Sequence, residues 1–115
     1  EFEYDGLQTG ESSEAIRKRV EQARRIQQQR FQGKEYFCNA QMSSRDIKEY
    51  CPVDAESRSL LRQAVQRYSL SARAYYRILK LSRTIADLAG EELIRIGHVA
   101  EAIQYRSLDR KGNGE

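Results

Sequence analysis

Leu70-Ser71-Ala72-Arg73-Ala74-Tyr75-Tyr76-Arg77-Ile78-Leu79-Lys80-Leu81-Ser82-Arg83-Thr84-Ile85-Ala86-Asp87-Leu88-Ala89-Gly90 reads as one complete helix, with its start and stop signals written in. Ser71 is a good N-cap, because its hydroxyl can accept from an unpaired amide of the first turn. Gly90 is a good residue to follow the helix, because it can turn left-handed without a Cβ clash. Between them Ala74, Ile78, Leu81, Ile85 and Leu88 recur at spacings of four and three, so they share one face. A second row, Tyr75, Leu79, Ser82, Ala86 and Ala89, lies beside it. Two adjacent rows make a wide apolar stripe, which predicts a helix packed on more than one side at the centre of the domain. The other face carries Arg73, Arg77, Lys80 and Arg83.

Working outward, Asp54 caps the preceding helix, with Glu56 in its first turn and Leu60, Leu61, Ala64, Val65 and Tyr68 on its apolar face. Only Ser69 and Leu70 separate the two, so an antiparallel hairpin is expected. Upstream, Ser43-Ser44-Arg45-Asp46 starts a short helix that Pro52 ends, with Ile47 and Tyr50 facing inward. Residues 32–41 lose periodicity at Gly33 and Asn39 and read as a loop pinned to the core by Tyr36, Phe37 and Met42. A basic helix runs from about Glu14 to Phe31, with a thin seam of Ile16, Val20 and Ala23. Arg17, Lys18, Arg19, Arg24, Arg25 and Arg30 make the rest of it positive. Such a charge run is a solvated face in one reading; in the other, it contacts DNA or a neighbouring subunit through Arg17, Arg19, Arg24 and Arg25.

Downstream, residues 91–97 read as a short extended segment or a turn, with Leu93, Ile94 and Ile96 as buried anchors, and His98–Arg106 as the last helix, with His98 buried or capping its start. Residues 1–10 read as a linker or the end of a preceding core domain, and residues 107–115 as a flexible tail. The fold class is all-α, a small helical bundle of four to five helices spanning residues 11–106.

Composition agrees with helices: 115 residues, 39% hydrophobic, 32% charged and a single Pro suit one small domain rather than a β-sandwich. The net charge of +3 permits an anionic partner without requiring one. Cys38 and Cys51 have no second Cys or His two to four residues away, so they read as reduced structural thiols and no metal site is expected. Nothing resembles a signal peptide and no apolar run reaches bilayer length, so a cytoplasmic protein without membrane contact is expected. No glycine-rich phosphate loop is present, and neither is a Ser or Cys with a convincing base; there is one His. Catalysis by this chain alone is therefore not expected.

Arg73 is the informative oddity. It falls in the first turn of its helix, where the macrodipole is positive and a cation costs about 0.3–1 kcal/mol. A phosphate arriving there reverses the sign, since helix amides and a guanidinium both favour an anion. A charge pair about 4 Å apart is worth roughly 4 kcal/mol at an effective dielectric near 20, before desolvation. An ordinary exposed arginine remains the alternative.

The motif Ser71-Ala72-Arg73-Ala74, the run Ile85-Ala86-Asp87-Leu88-Ala89-Gly90 and the segment His98-Val99-Ala100-Glu101-Ala102-Ile103-Gln104-Tyr105-Arg106 resemble the C-terminal domain of magnesium chelatase-like AAA+ ATPases of the ComM/YifB type. So do Gly10-Glu11-Ser12-Ser13, Ile16-Arg17, Arg19-Val20, Ala23-Arg24 and Asn39-Ala40-Gln41-Met42-Ser43, which extends the resemblance from Gly10 to Arg106. It implies a helical lid following a P-loop core. The Arg of the Ser-Ala-Arg-Ala motif then becomes a sensor-2 arginine, a role that falls on Arg73, with Arg77 a weaker candidate for the same phosphates. The resemblance also implies ATP and magnesium as cofactors of the full-length protein, a homo-hexameric ring with its own upstream core as partner, and DNA remodelling or branch migration. The departure is that these 115 residues hold no Walker A or Walker B segment. The isolated domain is therefore expected neither to hydrolyse ATP nor to bind it tightly. A helical nucleic-acid-binding module that uses the basic first helix is the alternative function.

Overall fold

The computed structural model describes the backbone of residues 11–113 and the side chains of residues 11–105. The linker expected over residues 1–10 and the end of the expected tail, residues 114–115, lie outside the described residues. Among the described residues five α-helices and one 3-10 turn follow in order: α1 (Ser13–Arg30), the turn Asn39–Gln41, α2 (Ser44–Tyr50), α3 (Ala55–Tyr68), α4 (Ala72–Leu88) and α5 (Ile96–Asn113).

Each start is set by chemistry within three residues. Ser12 Oγ accepts from the Ala15 amide, Asp54 from Ser57 and Ser71 from Ala74, while Ser43 and Asp46 bond reciprocally as a capping box. At α5 the Arg95 amide donates to His98 Nδ1 at 2.9 Å, so the imidazole fills the place a Glu takes in a capping box. His98 is thus both buried and capping. The end of α4 closes as expected: Gly90 has φ +73°, and the Gly90 and Glu91 amides return to the Asp87 and Ala86 carbonyls.

The helix α4 is the hub. It packs on α1, the 3-10 turn, α2 and α5. Ala74, Ile78, Leu79, Ser82, Ile85 and Ala86 of its two apolar rows are buried. The core around it is completed by Phe31, Met42, Ile47, Cys51, Leu61, Ile94, Val99 and Ala102. Burying such side chains is worth roughly 1.5–3 kcal/mol each for the large ones, before chain entropy is subtracted.

Three expectations need correction. The helices α3 and α4 do not form a hairpin: α3 packs on α5 instead. Ser69 adopts a left-handed conformation, φ +52°, and the Leu70 amide returns to the Val65 carbonyl, which turns the chain away from α3 before α4 begins. Phe37 does not anchor its loop, being 68% exposed, whereas Tyr36 packs on Phe31 and Met42 is buried. The last helix starts at Ile96 and its backbone continues to Asn113, past the Arg106 where the apolar pattern ends. In the connection before it Ile94 is the buried anchor and bridges to Val53, while Leu93 is exposed.

Candidate functional site

The first turn of α4 begins at the Ser71 cap, and no acidic residue stands in it to absorb the positive end of the helix dipole. Arg73 sits in that turn, exposed, with no ion pair or hydrogen-bond partner among the described residues. Its five N–H donors are therefore open to an anion. Arg77 is one turn on, on the same side, also exposed and without a partner among the described residues. Tyr75 and Tyr76, ring centroids 5.7 Å apart, pack against the core beneath this end of the helix. That anchors the backbone which carries Arg73.

Arg83 shares the polar face of α4 with Arg73 but is buried. It is 4% exposed, and its guanidinium donates to the Glu91 and Glu92 carbonyls at 2.9 Å and to the Tyr50 carbonyl at 3.3 Å. Its Nε lies 3.3 Å from Asp87 Oδ1. Burial lowers the Arg83 pKa and the Asp87 carboxylate works against that shift. Lys80, between the two ends, is partly buried and donates to the Ala40 carbonyl. The polar stripe of α4 therefore starts in solvent at Arg73 and runs under other elements by Arg83.

The basic helix α1 crosses the far half of α4. Ile16 and Val20 share a hollow with Leu81, Ile85 and Leu88, and Arg30 pairs with Asp87. Arg73 lies a further ~15–20 Å along the helix axis, at 1.5 Å per residue, so the structure does not bring it together with the arginines of α1. Of those, Arg17, Arg24 and Arg25 are exposed and have no partner among the described residues. Arg19 is engaged by Glu11, whose hydrogen bond raises the Arg19 pKa. Arg30 is also engaged, donating both terminal nitrogens to the Asp87 carboxylate at 2.8 and 2.9 Å.

The Arg30–Asp87–Arg83 group went unseen in the sequence. One signal was available: an acid in the last turn of a helix faces the negative end of the dipole, so Asp87 needed a cation to hold it. Cys51 lies against this group, buried, with its thiol pKa pushed up to about 11 mainly by burial. Both cysteines are free, and among the described residues no cluster of His, Cys, Asp and Glu could hold a metal ion. No described helix is long and apolar enough to cross a membrane.

The family model described as magnesium chelatase, subunit ChlI C-terminal, matches residues 10–106. Competence protein ComM of Haemophilus influenzae is 44% identical over 101 residues, covering 88% of this chain and 19% of that protein. The uncharacterized protein YifB of Escherichia coli K12 is 39% identical over 101 residues, with the same coverage. The uncharacterized protein Rv2897c of Mycobacterium tuberculosis is 33% identical over 97 residues, 84% of this chain and 19% of that protein. The chain thus spans about a fifth of the length of the curated relatives it matches.

Proposed function

The chain belongs to the magnesium chelatase subunit ChlI C-terminal family, in the form carried by ComM- and YifB-type proteins, and we propose that it works as the helical lid of an ATPase whose nucleotide core lies upstream. In this reading Arg73 is the sensor-2 cation that meets the terminal phosphate of ATP, and Arg77 is its weaker neighbour. One observation carries it: a guanidinium without a partner among the described residues stands in a helix first turn, on the helix that most of the fold packs against.

The fit to a phosphate rests on the donors. Arg73 offers a charge and N–H groups that no described residue engages, at the end of a helix whose dipole also favours an anion. ATP with magnesium, when bound, supplies the phosphate that reacts. This chain's part is to hold positive charge at Arg73, keep it on a rigid helix and carry the lid's motion through α4. The remaining assignments go with that reading: a homo-hexameric ring, DNA remodelling as the work done, and a cytoplasmic setting.

The test is Arg73→Ala in the full-length protein. ATP turnover is expected to fall by about 10²-fold, the usual loss on removing one donor to developing charge. Turnover within twofold of the parent would end the assignment.

A second reading is favoured by the exposed, unpartnered Arg17, Arg24 and Arg25 on α1. If these three meet DNA phosphates, log affinity should fall against log salt with a slope near about −2.7, roughly 40-fold weaker binding between 50 and 200 mM. Binding that ignores salt, or none at low salt, rules it out.

A further inference from the structure

The buried end of α4 is held by an unusual density of directional bonds. The Asp87 carboxylate accepts from Arg30 twice, at 2.8 and 2.9 Å, and from Asn39 Nδ2 at 2.9 Å, and Arg83 Nε lies 3.3 Å away as an ion-pair partner without a hydrogen bond. Asn39 reaches Thr84 Oγ1 at 3.1 Å, accepts from Arg30 at 2.8 Å, and has its amide held by Gln27 Oε1 at 3.0 Å. Arg83 extends the group to the carbonyl that ends α2 and to the two carbonyls leading toward α5. One point on α4 therefore fastens α1, the 3-10 turn, the end of α2 and the segment before α5. The helix α3 takes no part in it.

Two guanidinium groups share one carboxylate here, so the group is not economical in stability: well-packed apolar side chains often replace such a cluster without loss. What it adds is direction. Apolar burial is indifferent to orientation, whereas charge-assisted hydrogen bonds constrain distance and angle together. Asp87 stands fourteen residues from Arg73, roughly 21 Å along the axis. Ala74 and Ile78 pack the Arg73 half of α4 on the core as well, so apolar contacts hold its place and the cluster adds the directional restraint: a rocking of about 10° about the Asp87 end would carry Arg73 by roughly 4 Å, more than a hydrogen bond tolerates.

We infer that the Arg30–Asp87–Arg83 cluster is a positioning device for Arg73: it sets the angle at which α4 leaves the rest of the lid, and so whether the guanidinium lands on its phosphate. This rests on the reading of Arg73 as the phosphate contact. Asp87, Arg30 and Arg83 touch no nucleotide in this scheme and act through α4.

A double-mutant cycle in the full-length protein tests it, with ATPase kcat and KM measured for the parent, Asp87→Asn, Arg73→Ala and the double variant. Substitutions this far apart ordinarily act independently and their effects multiply. The expected result is coupling: Asp87→Asn lowers kcat about tenfold with Arg73 present and less than about twofold in the Arg73→Ala background, with KM nearly unchanged. If Asp87→Asn costs the same factor in both backgrounds, or none in either, the cluster is structural only and the inference is overturned. If Arg73→Ala leaves kcat unchanged, the reading of Arg73 falls first and the inference falls with it. Should Asp87→Asn lack a cooperative melt, Arg30→Lys takes its place under the same criteria, since it keeps the charge but loses the bidentate fork.

Discussion

The two ends of α4 carry the same chemistry to opposite fates. At its N-terminal turn Arg73 and Arg77 stand in water with no partner among the described residues; nearly two turns beyond Arg77, Arg83 is 4% exposed, hydrogen-bonded to three carbonyls and ion-paired with a carboxylate. All of them lie on one polar stripe of one helix. The difference comes from what covers the stripe: the end of α1, the 3-10 turn and the end of α2 lie over its C-terminal half, and no described element lies over Arg73. An arginine that has been given many partners is fixed in place and cannot meet a ligand. One that has been left without them in a first turn is available to an anion and contributes little to folding. The comparison therefore separates the side chain that holds the lid together from the one that acts.

The largest expected effect lies at the buried end. Asp87→Ala removes the carboxylate that Arg30 and Arg83 share and leaves two guanidinium groups near each other at 11% and 5% side-chain exposure. Breaking one side of a buried pair costs about 3–5 kcal/mol. For a domain whose whole stability is of order 5–15 kcal/mol, that is a third or more of the total over most of the range. A urea melt of the variant should show a midpoint far below the parent's. A change of less than 1 kcal/mol would mean that this end is no more committed to folding than the exposed one.

What the sequence disclosed follows the range of the forces involved. Ser43, Asp54, Ser71 and Gly90 could be read because a cap is settled within three or four residues, and each stands where local chemistry puts it. The apolar rows of α4 could be read because a period is a local property too. The angle between α3 and α4 could not: it turns on Ser69 going left-handed, which residue type does not announce in a serine. The pairing of Arg83 and Asp87 with Arg30 went unseen for the same reason. Arg30 is 57 positions from Asp87, and no spacing rule joins them. Arg73 was legible as an anomaly of one helix end and gained its meaning only from the resemblance of the surrounding motif.

The smallest effects belong to the exposed end, where they sharpen the contrast between cap and cation. Ser71 Oγ accepts from the Ala74 amide at 3.1 Å, and that donor has no partner within the helix. Ser71→Ala should therefore cost about 1 kcal/mol, a fall of roughly 4–8 °C in melting temperature for a domain of this size. Ser71→Gly should cost only a few tenths of a kcal/mol, because glycine leaves the amide open to water. Arg73→Ala, two residues on, should change stability by less than about 0.5 kcal/mol, since it removes a cation from the positive end of a dipole and breaks no contact with a described residue. Thermal melts of the three variants side by side decide the matter. If Arg73→Ala melts as low as Ser71→Ala, the guanidinium is already committed within the fold, and the division of labour along α4 is wrong.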